Sequence, residues 1–294
     1  MRMKSGSNKF LLQLLEMQDY VPLNTGTAQP KLNAEVVKKM ALRFPADGEQ
    51  ELIGELFRLL DEIIALQKRK LGAVSALKIS LLGKMLSPSG RSIPTIRFRG
   101  FSTSWGANEL AEIFTKGGSG GTPSSTNSSY YGGEIPFMGI SDITNSNGFI
   151  KSTEKHITED GLANSAAWIV PAGAISLAMY ASVGKIAILQ IDASTSQAFY
   201  NMVFEDDTVR DFVYHRLVFA NQRSDWQSLI STGTQANLNA EKVKSFSISV
   251  PGERPEIDKI AKILNLIDDI ARNQAARIEQ LKDLKTALLH QMFV

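Results

Sequence analysis

The sequence predicts an α+β chain in which a mainly β domain is flanked by two long helices that form an antiparallel coiled coil. Three observations carry that reading. A unit of about sixty residues occurs twice, short apolar runs broken by Gly and Pro lie between the copies, and charge is polarised along each helix.

The repeat comes first because it frames the rest. Thr25-Gly26-Thr27 and Leu32-Asn33-Ala34-Glu35 recur as Thr232-Gly233-Thr234 and Leu238-Asn239-Ala240-Glu241, and Val37, Lys38 and Pro45 recur as Val243, Lys244 and Pro251. After a one-residue insertion, Asp61 matches Asp268, and Leu71, Val74, Leu77, Leu81, Leu82 and Met85 match Ile278, Leu281, Leu284, Leu288, Leu289 and Met292. Helical spacing alone could imitate the apolar matches, but not the Thr-Gly-Thr, Leu-Asn-Ala-Glu and proline upstream of them.

Each copy has one plan. Alternation at Val37, Met40, Leu42 and Phe44, and at Val243, Phe246, Ile248 and Val250, predicts a strand. A proline punctuates it, and a long helix follows, from about 48 to 86 and from about 255 to 292. Pro255 suits a first helical turn, where its missing N–H is not needed, and Ser87-Pro88-Ser89-Gly90 stops the first helix. At ~1.5 Å per residue each helix is roughly 55–60 Å long.

Charge predicts how the helices pair. Residues 49–62 hold Glu49, Glu51, Glu55, Asp61 and Glu62 against Arg58 alone, whereas residues 68–84 hold Lys68, Arg69, Lys70, Lys78 and Lys84 and no acid. The second helix repeats the bias with Glu256, Asp258, Asp268 and Asp269 early, then Arg272, Arg277, Lys282 and Lys285. An antiparallel pair sets acid beside base at both ends. The expected seam is Ile53, Leu60, Leu71, Val74 and Leu81 against Ile260, Ile267, Ile278, Leu281 and Leu288. The alternative, that each helix packs only on its own domain, stays open here.

Between the helices, Trp168-Ile169-Val170, Ala174 to Leu177, Ile186 to Ile191 and Met202 to Phe204 predict strands, and Asp207 to Gln222 a helix with Phe212, Leu217 and Phe219 inward. The segment Lys9 to Leu15 stands before the first Thr-Gly-Thr as Asp211 to Leu217 stands before the second. Residues 1–44 therefore read as the C-terminal remnant of a first domain. They precede a helix at 45–87, a complete domain at 91–250 and a second helix at 251–294. The remnant either packs against the first helix or is completed by another chain.

Bulk composition excludes more than it suggests. There are no cysteines, so disulfides and thiolate metal sites are ruled out. Phe10 to Leu15 is too short and interrupted for a secretory signal and no apolar run has membrane-spanning length, so a cytoplasmic chain is expected. The net charge is +2, and residues 88–250 carry 12 Lys and Arg against 14 Asp and Glu, a net of −2, so no basic footprint of a nucleic-acid binder is visible. His156, His215 and His290 lie far apart in no metal-ligand or triad spacing. No catalytic or metal-ligating residue is nominated. Lys116-Gly117-Gly118-Ser119-Gly120-Gly121-Thr122-Pro123-Ser124 lacks the Gly-Lys-Ser/Thr ending of a phosphate loop, and reads as a flexible surface loop or one whose glycines permit close approach to a DNA backbone.

One ordered set of residues resembles a known family. Trp105, Leu110, Glu112-Ile113, Gly121-Thr122-Pro123-Ser124, Ile135-Pro136-Phe137, Ser141-Asp142-Ile143, Ile157-Thr158, Gly161-Leu162, Ser165, Pro171-Ala172-Gly173, Val183-Gly184, Gln197-Ala198-Phe199 and Thr232-Gly233 are similar to target recognition domains of type I restriction–modification specificity subunits. The helices resemble that family's central and distal spacers. The resemblance implies a non-catalytic subunit that binds a half-site of a bipartite target in double-stranded DNA. Its helices would dock modification subunits and, through the complex, restriction subunits. It implies that this chain binds no cofactor, with S-adenosylmethionine and ATP on the partner subunits. The family ordinarily has two recognition domains. This sequence departs from that by lacking most of the first, so an inactive or regulatory fragment, or a recombination cassette, is the alternative, and a homodimer could restore two domains. Candidate DNA contacts are Lys116, Thr122, Ser124, Asn127, Tyr130, Ser141, Tyr180, Lys185, Arg223, Gln235 and Asn237. Trp105, Trp168, Phe137 and Phe199 are expected in the core.

Overall fold

The computed structural model describes residues 5–24, 26, 31–87, 93–229 and 237–293. In chain order its elements are α1 (Asn8–Glu16), α2 (Ala34–Lys38), α3 (Asp47–Met85), β1 (Gly106–Glu109), β2 (Lys116–Ser119), β3 (Tyr131–Met138) and α4 (Ile140–Asn145). There follow β4 (Phe149–Ile150), β5 (Lys155–Ile157), α5 (Glu159–Ala163), β6 (Ile175–Ala178), β7 (Ile186–Leu189), β8 (Ser194–Thr195) and β9 (Phe199–Val203). The last are α6 (Asp207–Gln222), α7 (Ala240–Lys244), β10 (Ser247–Val250) and α8 (Arg254–Phe293). The chain divides into unit 1, Met1–Val74 with Ile270–Val294, and unit 2, Ser75–Asp269.

The long helices form where the sequence predicts them. Asp47 and Glu49 open α3 and Lys84 closes it, in keeping with the helix dipole. Each helix buries or half-buries a stripe at alternating three- and four-residue steps, through Ile53, Phe57, Leu60, Ile64, Gln67, Leu71, Val74, Lys78 and Leu81 on α3 and through Ile260, Leu264, Ile267, Ala271, Gln274, Ile278, Leu281, Lys285 and Leu288 on α8. All ten expected seam residues lie on these stripes. Direction follows from three contacts. Within unit 1, Lys285 binds Asp61 at 2.7 Å and Gln274 Nε2 donates to Gln67 Oε1 at 2.5 Å. Within unit 2, Lys78 binds Asp268 at 2.5 Å. Numbers rise along α3 as they fall along α8, so the pairing is antiparallel. Asp61 and Asp268 are repeat counterparts, as are Lys78 and Lys285, and Gln67 and Gln274. Exchanging each residue for its counterpart turns one ion pair into the other.

The helices also pack on their own units. In unit 1, Phe10 and Leu14 of α1 join Ile53, Phe57, Leu60 and Leu289 in one core. Gly54 permits this: a Cβ there would lie 2.8 Å from the Phe10 nitrogen. In unit 2 the ends of α3 (Leu82, Met85, Leu86) and α8 (Ile257, Ile260, Ala261, Leu264) pack with α6.

Unit 2 holds a five-stranded sheet ordered β2-β9-β6-β7-β4, a three-stranded sheet β5-β3-β8, and the pair β1-β10. Alternation in the five-stranded sheet sends Ile175, Leu177, Ile186, Ile188, Tyr200 and Met202 into the helical core. Ala174, Ala178, Ala187, Leu189 and Phe199 enter a second core on the other face. Both faces are covered, which is why these strands read as continuous apolar runs. A buried polar cluster links three strands of the unit: Ser176 Oγ donates to Asn201 Oδ1 at 2.7 Å and Asn201 Nδ2 donates to Thr195 Oγ1 at 2.8 Å. α6 spans the expected residues, with Asp206 capping the Thr208 and Val209 amides.

Four expectations are corrected. The stretch Val37 to Phe44 is no strand: Val37 lies in α2 and residues 39–46 form neither helix nor strand. Its counterpart is a strand only from Ser247, with Val243 in α7, because β1 supplies a partner there and nothing among the described residues pairs with 41–44. Trp168-Ile169-Val170 makes one isolated bridge, Val170 to Ala193, rather than a strand. Trp168 is half-buried rather than core, with the Lys116 ammonium 4.3 Å from its ring centroid. The glycine-rich segment is no flexible loop. Lys116–Ser119 is β2, and a Cβ on Gly120 or Gly121 would lie 2.2 Å from the Thr195 carbonyl oxygen or 2.4 Å from the Ala166 carbonyl carbon. The glycines admit the chain's own backbone.

Candidate nucleic-acid interface

Strand register decides which loops share an end of the five-stranded sheet. Ser119 pairs with Tyr200, Phe199 with Ala178, and Leu177 with Ile186, while β4 runs parallel to β7 with Phe149 beside Ile188. One end therefore gathers the residues after Ser119, before Phe199, between Ala178 and Ile186, and before Phe149. The β3–β8 pairing adds a fifth segment, because Met138 lies beside Thr195 and the Ser196 amide donates to the Met138 carbonyl at 3.2 Å, bringing in the start of α4.

Contacts tie these loops together. Lys185 Nζ reaches the Thr144 carbonyl at 3.4 Å, and the Thr144 and Ser182 hydroxyls are 3.4 Å apart. The Thr122 hydroxyl bonds the Gln197 side-chain oxygen. Ser141 Oγ donates to Glu154 at 3.0 Å. The turn at 179–185 is sharp: Ser182 has φ 56° and Gly184 φ 83°, and a Cβ on Gly184 would meet Asn221 Oδ1 at 2.4 Å and Trp226 Cδ1 at 2.6 Å. That packing sets the turn beside the C-terminal end of α6, where Arg223 binds Asp225 at 3.2 Å. The Leu238 amide donates to the Met179 carbonyl at 2.9 Å, adding Asn237.

Six nominated residues thus meet at one end: Thr122, Ser141, Tyr180, Lys185, Arg223 and Asn237. Lys116 begins β2 at the opposite end, beside Val203. Asn127 and Tyr130 belong to the turn before β3, where Tyr130 packs on Gly161 and the Thr158 amide donates to the Tyr130 carbonyl at 3.0 Å. Ser124, paired with Thr126 at 2.8 Å, lies in the same connection. Gln235 lies outside the described residues. Thr144, Ser182, Gln197 and Asn221 share the convergent end and were not nominated. Only Gly184, next to a predicted turn, signalled that this loop is tightly placed.

The end is polar and exposed. Its hydroxyls, amides, one tyrosine and two cations are groups able to hydrogen-bond base edges or phosphate oxygens. Two buried titratable groups stand behind it, Arg216 sharing the Asp225 carboxylate with Arg223. Burial pushes His215 down to about 4 and Arg216 down to about 10. Among the described residues no group of three or more His, Cys, Asp or Glu could hold a metal ion, and no helix is long and apolar enough to cross a membrane.

Residues 2–76 and 103–283 match the family described as type I restriction modification DNA specificity domain. The chain belongs to that family. It is 30% identical over 192 residues to the type I restriction enzyme MjaIX specificity subunit of Methanocaldococcus jannaschii, covering 65% of this chain and 44% of that protein. It is 24% identical over 243 residues to the EcoR124I/EcoR124II specificity subunit of Escherichia coli, covering 80% of this chain and 57% of that one. The chain therefore spans about half the length of these curated relatives. Its fold is similar to the crystal structure of a type I restriction–modification S subunit from M. genitalium, with a TM-score of 0.65 at 16% identity over 97% of this chain and 72% of that one. Membership places it among specificity proteins rather than catalytic subunits.

Proposed function

We propose that this type I specificity-family chain reads one half-site of a bipartite double-stranded DNA target through the convergent end of its recognition domain. The observation that carries this is the gathering of Thr122, Gln197, Ser141, Thr144, Tyr180, Ser182, Lys185, Asn221 and Arg223 at one sheet end, on loops held by packed glycines. Rigid loops suit readout, since base edges must be met at hydrogen-bond distance. The unit's slight negative charge argues that much of the phosphate contact comes from partner subunits. Those partners would carry S-adenosylmethionine and ATP, and restriction subunits would join through them, in the cytoplasm.

Modification subunits would dock on the helices. Beside the paired stripe, α3 shows a second one, Leu52, Leu56, Leu59, Ile63 and Leu66, all exposed and at the same three–four spacing. Their counterparts Leu266 and Ile270 on α8 are exposed too. A 3.5-residue apolar repeat left in water is the surface that a partner helix covers. Two copies of this chain would give two recognition domains and, by two-fold symmetry, a palindromic split site.

Co-expression with the cognate modification subunit in a methylation-free host, with methylated bases mapped genome-wide, tests this. A split palindromic motif supports the reading with self-pairing. No methylation, with both proteins soluble, favours an inactive or regulatory fragment.

A further inference from the structure

At the convergent end, Arg216 within α6 and Arg223 at its C-terminal cap meet the same carboxylate, one from the interior and one from the surface. Arg216, Phe219 and Arg223 share a helix face by their spacing, and both guanidinium carbons stand over the Phe219 ring, 5.5 and 5.6 Å from its centroid. The chain then reverses. Ser224 has φ 58°, in the left-handed region that a side chain disfavours, and it brings Asp225 back to Arg223. Asp225 Oδ1 accepts from Arg223 Nε at 3.2 Å, and Asp225 Oδ2 pairs with Arg216 at 3.9 Å. Side-chain exposure climbs along this row, from 0% for Arg216 through 18% for Asp225 to 48% for Arg223.

The row is held from within. Burial disfavours the Arg216 charge, Asp225 favours it and Arg223 opposes it. The interior arginine therefore keeps the carboxylate in place, and the carboxylate keeps the exposed arginine. The next residue, Trp226, is buried, with its ring 4.2 Å from that of Phe246, and it lies where a Cβ on Gly184 would meet it at 2.6 Å. One short segment thus fixes both Arg223 and the turn that carries Tyr180 and Lys185. Among the described residues the other non-glycine with positive φ is Ser182, in that same turn. Such backbone persists where the surroundings impose it, and both instances border this end.

We propose that Asp225 is a positioning residue for DNA readout, clamped from behind by Arg216, which aims the Arg223 guanidinium at a base edge bearing two acceptors, the pattern of guanine O6 and N7. This rests on the half-site reading and deepens it. Asp225 engages Nε, which leaves the two terminal amino groups of Arg223 to donate as a pair, as a guanine edge requires. A phosphate contact fits the arrangement less well. It carries no base information and gains nothing from a fixed direction, and a carboxylate beside the arginine would weaken it.

The test uses the full chain assembled with its modification subunit and selects binders from a double-stranded DNA pool with a randomised segment. Preferred sequence and affinity are then read at several salt concentrations. The wild type should require guanine at one half-site position. Arg223→Lys keeps the charge but not the planar fork, so it should lose that requirement, with affinity for the selected site falling at least ~10-fold. Asp225→Asn should relax the same position by a similar factor, while binding to unrelated DNA stays equal or rises because an acid has been removed. A merely structural role would lower affinity for all sequences together, and thermal melting by tryptophan fluorescence reports the fold of each variant. Asp225→Glu, which keeps the charge but moves it by a methylene, is the second variant and should relax the same position. An unchanged preference in Arg223→Lys would make Arg223 a phosphate contact, and an unchanged preference in both Asp225 variants would show that it needs no aiming; either overturns the proposal. A wild type that selects no sequence refutes the half-site reading, and this assignment with it.

Discussion

The two repeat-related ion pairs offer one substitution at equivalent positions in unequal surroundings. Asp268 and Lys78 have side-chain exposures of 11% and 18%, and the Asp268 carboxylate also faces His215 Nδ1 at 3.9 Å. Asp61 is 45% exposed, and its partner Lys285 has a second carboxylate, Glu16, at 3.6 Å. Asp268→Asn leaves Lys78 nearly buried with a neutral neighbour, and breaking a buried pair costs about 3 kcal/mol or slightly more. Lys285 is as buried as Lys78, at 16%, but Asp61→Asn leaves it the Glu16 carboxylate at 3.6 Å and removes a half-exposed acid, so about 1 kcal/mol or less is expected. The expected difference, about 2 kcal/mol, is roughly a thirty-fold change in the unfolding equilibrium.

Urea unfolding read by two probes measures this. The three tryptophans, Trp105, Trp168 and Trp226, all lie in unit 2, so their fluorescence follows that unit, while far-ultraviolet circular dichroism follows the helices. Asp268→Asn should lower both midpoints clearly and Asp61→Asn only slightly. Lys78→Met with Asp268→Leu should recover most of the loss, because a packed apolar pair needs no desolvation of charge. Equal losses for the two acids would refute the argument from burial. Failure of the apolar pair to recover would show that the seam depends on charge itself.

Further outcomes are expected. His215 is held at about 4 against an ordinary 6.5, chiefly by burial, with Asp268 and Asp211 opposing and Lys78 adding. The unfolded chain therefore binds the extra proton, and stability should fall by up to about 3 kcal/mol as pH drops from 6.5 to 4. His215→Gln, the residue type buried at the counterpart Gln13, should flatten that fall in pH-dependent denaturation. Gly120→Ala places a Cβ 2.2 Å from the Thr195 carbonyl oxygen and should cost about 3 kcal/mol or prevent soluble expression. Gly72→Ala, in mid-helix with nothing within 4 Å, should raise stability by up to about 1 kcal/mol by thermal melting. Tyr180→Ala and Lys185→Ala should each reduce specific DNA binding by the assembled complex at least ~10-fold, with a shallower salt dependence for Lys185→Ala, while Lys116→Ala at the far end leaves binding unchanged. Leu56→Glu with Leu59→Glu should abolish co-purification of the modification subunit, and Ile169→Glu, on another surface, should not.

Much of the fold was legible because it rests on periodicity. The heptad stripes, the charge polarity and the repeat together specify two long antiparallel helices, and Asp206 with Phe212, Leu217 and Phe219 specifies α6. The site was less legible because register, which no single residue encodes, decides which loops meet. Lys116 and Thr122 are six residues apart in one glycine-rich run, yet β2 carries them to opposite ends of the sheet. Tyr180 and Asn237, far apart in sequence, meet through a single bond from the Leu238 amide to Met179. The glycines misled for a related reason: a residue lacking Cβ signals close approach, but not whether the approaching backbone is DNA or the protein's own.

The two copies of the repeat separate local from tertiary causes within one molecule. Val37 to Phe44 and Val243 to Val250 share an alternating apolar pattern, yet only the second includes a strand. The second carries β-branched Ile248 and Val250 where the first has Leu42 and Phe44, and it alone has β1 beside it. Alternation is a statement about which face will be buried, and it becomes a strand when a neighbour satisfies the backbone. The helices behave otherwise. α3 and α8 satisfy their hydrogen bonds internally, so both form at nearly equal length, 39 and 40 residues. A repeat that ends in a helix and begins in half a sheet therefore leaves its two ends unequally dependent on a partner. The helix of unit 1 needs none to exist, whereas the segment before it keeps the apolar alternation without becoming a strand.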